Sequence, residues 1–289
     1  MDLGYLTHFR EEELKLANDI GYTSLEVHIT SWSEETFSSR AKMEKAVAEA
    51  KALLTKYDLR LTAVARYMPN PLTEPLAETK KKFRQYLTFT ALLGVPVLTS
   101  MAGRVPEETI DENIPRFKKL FTDVAKMAED CGVKIGFENW PSLGGYPIKG
   151  AYNIAYTPAV WEKMFDAVPS PALGLEFDPS HLYWLGIDHI GALKRFAERV
   201  YHIHAKDTEI LYDQRNRYGI FESPGWWRYR IPGWGEIDWT EFISALNDIG
   251  YNGGIAVEHE DPIFAGPRRV EGLILGYKHL SERLVLRGR

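Results

Sequence analysis

Leu173–His181 reads LGLEFDPSH, a short apolar run that ends in a carboxylate and is stopped by a proline. A turn-bounded run of this kind reads as a buried parallel strand. Three further runs share its grammar: VKIGFEN at Val133–Asn139, VYHIHAKD at Val200–Asp207 and GGIAVEHED at Gly253–Asp261. Each ends in a hard metal-binding side chain, giving Glu138, Asp178, His204 and Glu258. In a barrel of parallel strands the C-terminal ends converge on one mouth, so these four groups should converge too. The expectation is a site for one divalent metal ion.

Outward from these runs, strand-like and helix-like segments alternate along the chain. Strand candidates are Leu3–Leu6, Leu25–Ile29, Leu59–Tyr67, Val95–Met101, Val133–Asn139, Leu173–Asp178, Val200–Ala205 and Gly254–His259. Helical stretches fill the gaps: Glu11–Ile20, Glu34–Tyr57, Leu76–Leu93, Glu107–Asp130, Pro158–Val168, Ile190–Ala197, Trp239–Ile249 and Pro267–Leu284. Thr157-Pro158 and Asp238 supply helix starts, and Gly94, Gly132 and Gly250 supply stops. Eight β-then-α units at this rhythm predict an α/β fold, a single (β/α)8 TIM barrel spanning 1–289 as one domain. A doubly wound open sheet is the alternative. It would carry a Gly-rich phosphate loop after the first strand, and GYLTHFRE is not one.

The composition limits the partners. The 289 residues are 45% hydrophobic and 26% charged, enough to bury a large core. With 35 basic against 40 acidic residues the net charge is -5, which offers no electrostatic footprint for nucleic acid. One cysteine, Cys131, excludes an internal disulfide framework. The N-terminus lacks the regions of a secretory signal, and no apolar stretch approaches the roughly 20 residues needed to span a bilayer. A cytoplasmic location and no membrane partner are the expectation.

Strand residues alternate in direction, which sorts the candidates. Gly136, Glu138 and Trp140 share a face, as do Glu176 with Asp178, His202 with His204 and Lys206, and Ala256 with Glu258 and Glu260. Charges repeated at period two in apolar runs must point into the barrel, because outward they would be buried unpaired under helices. Trp140, Glu176 and Lys206 are thus candidate substrate contacts beside the metal. A buried salt-bridge network of Glu138, Glu176, Lys206 and their neighbours is the bland alternative. Glu258 and Glu260 lie on one face and either could be a ligand; Glu258, directly after the IAV run, is preferred. Thr208–Gly235 is longer than an ordinary βα loop and contains Tyr212, Tyr218, Phe221, Trp226, Trp227, Tyr229 and Trp234. It reads as an aromatic substrate lid (208–235) with Trp226 and Trp227 on the sugar. Its arginines Arg215, Arg217, Arg228 and Arg230 could instead grip a phosphate or a neighbouring subunit.

FENWP, LEFDPSHLYW, HIHAKD and the tail PGWGEIDWTEFISALNDIGYNGGIAVEHEDP resemble the sugar phosphate isomerase/epimerase family of xylose isomerase-like barrels, a superfamily related to endonuclease IV. The likeness spans nearly the whole chain and is weakest between Ser31 and Pro75. It implies one divalent ion, manganese foremost with magnesium or cobalt as alternatives, on Glu138, Asp178, His204 and Glu258. It also implies that His181 contacts substrate oxygens, that the substrate is a small sugar, and that the chain forms a homodimer or homotetramer. Ketose 3-epimerases acting on free sugars carry an arginine shortly after the metal histidine, where this chain has Asp207-Thr208-Glu209-Ile210. The HxHxKD form is more similar to members acting on keto-sugars, keto-glycosides and inososes, some of which epimerise while others eliminate.

The chemistry asks for these groups. Removing a proton beside a carbonyl leaves an enediolate that needs a positive centre on its oxygen. Glu138 and Glu258, on strands either side of the sixth and seventh, could serve as acid and base on opposite faces of the sugar. Lys206 could be a general acid with a depressed pKa, or a salt-bridge partner of Glu176 or Glu138. The expected function is a metal-dependent epimerase or isomerase of a ketose or keto-sugar. A lyase of the dehydratase or deglycosidase type is the alternative. A sugar-binding protein or an abasic-site endonuclease fits less well, the latter because of the acidic balance and the shortage of extra ligands.

Overall fold

The computed structural model describes residues 1–143, 151–222 and 225–284. Its strands are β1 (Asp2–Thr7), β2 (Ser24–His28), β3 (Arg60–Arg66), β4 (Val97–Ser100), β5 (Lys134–Glu138), β6 (Leu173–Phe177), β7 (Val200–Ala205), β8 (Asp207–Ile210), β9 (Trp227–Arg230) and β10 (Gly254–Val257). Eight of them, β1 to β7 and then β10, pair in parallel and close into a barrel, with β10 against β1. The sequence reading of eight parallel strands and a closed α/β barrel holds.

Alternation builds the layers. Leu25 and Val27, Ile135 and Phe137, Leu173, Leu175 and Phe177, Ile203 and Ala205, and Ile255 and Val257 are buried in one continuous apolar core with the helices. The intervening residues turn inward, and there the barrel is polar. At the lower level Gly254 makes room: a Cβ on it would come within 2.8 Å of His202 Nε2 and 2.4 Å of the Thr62 side chain. One-residue register shifts occur at Leu25/Glu26 against β3 and at Leu175/Glu176 against β7. Such bulges re-aim side chains, and here each adjoins an inward glutamate.

The helices are α1 (Glu11–Ile20), α2 (Arg40–Lys56), α3 (Leu76–Leu93), α4 (Ile110–Cys131), α5 (Pro158–Ala167), α6 (Pro179–Trp184), α7 (His189–Arg195), α8 (Tyr212–Tyr218), α9 (Trp239–Asp248) and α10 (Arg269–Ser281). The expected helix from Glu34 begins six residues later. Ser39 stops it short by capping α2, its hydroxyl accepting the Lys42 N–H at 3.3 Å. Likewise α4 starts at Ile110, set by a capping box in which Thr109 and Glu112 satisfy each other's backbone N–H.

The segment 208–235 departs furthest from the sequence reading. It is no structureless loop: β8 and β9 pair antiparallel from Asp207↔Arg230 to Ile210↔Trp227, with α8 between them. Ser223 and Pro224 of this segment lie outside the described residues. Among the described residues no helix is long and apolar enough to cross a membrane.

Candidate metal centre and active site

Glu138 ends β5, Asp178 and Glu258 follow β6 and β10 directly, and His204 lies within β7. One ligand atom from each of these four lies within 4.8 Å of the others. Each is aimed from behind. Asp178 is the N-cap of α6, where its Oδ1 accepts the Ser180 N–H at 2.8 Å. Asn139 locks the same residue reciprocally, accepting the Asp178 N–H at 2.7 Å and donating to the Asp178 carbonyl at 2.8 Å. Oδ2 is thereby left facing the mouth.

His204 is turned by carboxylates beneath it. Its Nε2 stands 2.8 Å from Glu26 Oε2, 3.1 Å from Glu176 Oε1 and 3.2 Å from the Tyr67 hydroxyl. A carboxylate on one imidazole nitrogen fixes the ring and leaves the other nitrogen for a metal. That other nitrogen, Nδ1, faces Glu258 Oε2 at 2.9 Å and Glu138 Oε1 at 3.6 Å. Asp178 Oδ2 and His204 Nδ1 are both buried and face charged neighbours at the mouth: His181 Nε2 and Lys206 Nζ lie 3.2 and 3.3 Å from the first, and Glu258 Oε2 lies 2.9 Å from the second. These two atoms converge with the carboxylates of Glu138 and Glu258; such a set fits a divalent cation, and three oxygens with one imidazole suit a hard or borderline ion.

The charges around these groups are uneven. Burial raises the Asp178 pKa, but His181 and Lys206 outweigh it and bring it down to about 2. Burial likewise opposes the charged form of Glu258, yet Lys206 and His204 hold its pKa well below the usual carboxylate range. Burial works against a charged His204, but Glu176, Glu258 and Glu26 keep its pKa well above 6.5. One level down the balance reverses. Burial and the neighbouring Glu176 charge raise the Glu26 pKa, burial raises that of Glu176, and burial lowers His202 to about 4.

Lys206 behaves otherwise than expected from sequence. Its ammonium lies 2.6 Å from Glu258 Oε2, 3.0 Å from Glu260 Oε2 and 3.3 Å from Asp178 Oδ2, and not on Glu176 or Glu138. Burial lowers its pKa, but these three carboxylates outweigh it and push it well above 10.5. Glu258, not Glu260, offers the ligand atom of the eighth barrel strand, and the Glu260 side chain is half exposed.

A cavity of about 320 Å³ opens over the cluster, lined by Glu138, Trp140, Lys206 and Glu258 among the candidates and by Tyr67 and His28 besides. His181 adjoins it, its Nε2 standing 3.2 Å from Asp178 Oδ2 and 3.3 Å from Glu138 Oε1. Three sequence candidates lie elsewhere. Glu176 is fully buried beneath the ligands, 3.0 Å from His202 Nδ1 and 2.8 Å from the Tyr67 hydroxyl; its register places it a layer too deep to touch a substrate in the mouth. Trp226 and Trp227 form a separate apolar cluster with Trp184 and Ile210, Trp227 stacking on Trp184 at 3.9 Å and 9°. Neither lines the mouth cavity.

The hairpin reaches the site through Tyr229, whose hydroxyl is 3.1 Å from His181 Nδ1 and whose ring lies under Lys206 Nζ at 4.5 Å. Arg228 and Arg230 are occupied by Glu209, and Arg230 also donates to Asp261 at 2.9 Å. Tyr67, Glu26 and His28 were missed by sequence reasoning, which placed Tyr229 in the aromatic lid without singling it out. Glu26 carried a legible signal, an inward acidic residue in the apolar run SLEVH. A larger cavity, about 680 Å³, opens at the opposite end of the barrel by Asp2, Arg60 and Gly254. Those residues sit at the N-terminal strand ends, the face that serves stability in such barrels and not chemistry.

Residues 14–280 match the family model described as xylose isomerase-like TIM barrel, and the chain belongs to that family. It is 26% identical over 228 residues to inosose dehydratase of Clostridium perfringens, covering 73% of each chain. Its fold is similar to D-psicose 3-epimerase of Clostridium cellulolyticum H10, solved with D-tagatose, at TM-score 0.73, 18% identity and coverage of 98% and 99%. It is similar to the IolI protein, solved with a bound zinc atom, at TM-score 0.73, 18% identity and coverage of 99% and 100%. A sugar-modifying enzyme is the class these relatives define.

Proposed function

We propose that this chain is a divalent-cation-dependent epimerase or isomerase of a keto-sugar, working by proton abstraction beside the carbonyl. The observation that carries the reading is the convergence of one donor atom each from Glu138, Asp178, His204 and Glu258 within 4.8 Å of one another at the mouth. Glu138, Asp178, His204 and Glu258 would hold the cation, manganese, magnesium or cobalt by donor type. When bound, it supplies the positive charge that an oxyanion next to the reacting carbon requires. Glu138 and Glu258 are the proton carriers. They come from β5 and β10, separated by β6 and β7 around the barrel, so each can address a different face of a ring lying in the mouth. His181, beside Asp178 and Glu138, binds a sugar oxygen, and Trp140 covers a C–H face.

Elimination is the second reading, and Lys206 favours it. Its ammonium is held between Glu258 and Asp178, where it can hand a proton to a leaving oxygen after the same abstraction. The inosose dehydratase relative points the same way.

Proton NMR in deuterated buffer tests both. Keto-sugars, keto-glycosides and inososes are incubated with cation-loaded protein, and deuterium uptake identifies the carbon and the sugar. Glu138→Gln and Glu258→Gln should each lower turnover by roughly 10²- to 10⁴-fold. In an epimerase each should still exchange one epimer without forming product, and the two should swap when started from the other epimer. If both exchange normally while Lys206→Met or His181→Ala stops uptake, the two-glutamate assignment is wrong. Loss of water or aglycone by mass would make the chain a lyase.

A further inference from the structure

Beside the mouth lies a second cavity of about 260 Å³, lined by Tyr67, Met68, Asn70, Met101, Ser142 and Tyr152. Tyr67 and Met101 line both cavities. The two differ sharply in chemistry: the mouth presents Glu138, Lys206, Glu258 and Glu260, whereas none of the six residues of the second is charged. Even its amide is spent on the backbone. Asn70 Oδ1 accepts the N–H groups of Leu72 at 3.1 Å and Arg104 at 3.2 Å, and Nδ2 donates to the Arg104 carbonyl at 2.6 Å. The Tyr67 hydroxyl is directed to Glu176 and Glu26, at 2.8 and 3.1 Å. What remains for an occupant is two aromatic rings and two thioethers, with the Ser142 hydroxyl at the edge.

We propose that this cavity is a subsite for an aromatic substituent, so that the substrate is an aryl-bearing keto-sugar. The proposal rests on the keto-sugar reading of the mouth. Tyrosine rings and polarisable methionine sulfurs favour an aromatic partner. The volume agrees, since an apolar cavity of about 150 Å³ already takes benzene; this one holds a ring with a small substituent. A phosphate is the wrong occupant, because a dianion here would lose water and meet no cation among the described lining residues. The subsite is also fixed relative to the chemistry. Buried Asn153, next to Tyr152, donates to the carbonyls of Glu138 at 2.9 Å and Trp140 at 2.7 Å and accepts the N–H of Ala102, next to Met101, at 3.0 Å. The apolar wall and the proton-carrying glutamate are thus tied to one side chain, a preorganised pairing.

The test is calorimetric titration of magnesium-loaded protein with the phenyl and methyl glycosides of a hexose carrying its carbonyl at carbon 3. The phenyl glycoside should bind tighter by on the order of tenfold. That ratio should fall toward one in Met68→Glu and in Tyr152→Ala, substitutions at exposed rim positions. Equal affinities in the unmodified protein overturn the subsite and leave the keto-sugar reading standing. A phenyl preference that survives both substitutions also overturns it. Failure of both glycosides to bind overturns the inference together with the keto-sugar reading.

Discussion

His204 is gripped on both nitrogens by carboxylates, Glu26 and Glu176 below and Glu258 and Glu138 above. Although burial opposes it, their charge keeps the ring protonated in the cation-free protein well above pH 6.5. A raised folded pKa adds stability that is fully present below the unfolded value and is lost as pH rises through the folded one. The cation-free protein should therefore lose this contribution as pH climbs above 6.5. Cation affinity should run the other way, rising up to about tenfold per pH unit, because coordination expels the proton. Calorimetry in buffers of different ionisation enthalpy should find about one proton released per cation. Affinity flat in pH would remove His204 from the ligand set. Asp178→Asn should lose metal by elemental analysis, and stoichiometric retention would show that the site is misplaced. Much of this was readable residue by residue: Glu138, Asp178, His204 and Glu258 each stand at a strand end. Glu176 was misjudged because period two tells which way a side chain points and not how deep it sits.

At the scale of elements, the β8–β9 hairpin reaches the mouth through Tyr229. Asp207 anchors it, accepting from the N–H groups of Thr208, Gly233 and Ile237 and from the Trp239 indole at 2.8–3.0 Å. The tryptophans hold the hairpin together and Tyr229 carries its contact with the site. Tyr229→Phe should lower kcat up to about tenfold with little change in KM, the size of one lost hydrogen bond to His181. An unchanged kcat would make the contact incidental. Trp226→Ala should instead raise protease sensitivity and amide exchange within 208–235 while kcat per folded site changes little, since Trp226 packs on Trp184 and Trp227. A rise in KM alone, with no change in exchange, would restore the tryptophans to the sugar.

For the whole molecule, cation binding at the proposed site would be coupled to barrel closure. The four proposed ligands lie in or directly after β5, β6, β7 and β10, spread over much of the chain, so a cation that binds only the folded state would stabilise all of it. At one hundred times Kd this amounts to about 2.7 kcal/mol, or an increase in Tm of roughly 5 °C for a chain of this size. Thermal melts with and without manganese should show that rise, and chelator should reverse it. The shift should vanish in Asp178→Asn. An equal shift in the variant would place the cation elsewhere.

The sequence by itself determined the barrel, its eight strands, and the four groups at their ends, because period-two burial and turn chemistry are local rules that each run obeys separately. Only the tertiary structure decided which nitrogen of His204 faces the mouth, that Glu26 and Tyr67 support it from β2 and the end of β3, and that Lys206 pairs with Glu258 and Asp178. It also decided that an apparent loop is a hairpin delivering Tyr229. Those contacts join residues as far apart as 178 positions, Glu26 to His204, and depend on strand tilt, one-residue register shifts and layer height. None of these is written in any single run of residues; they follow from the closure of all eight strands at once.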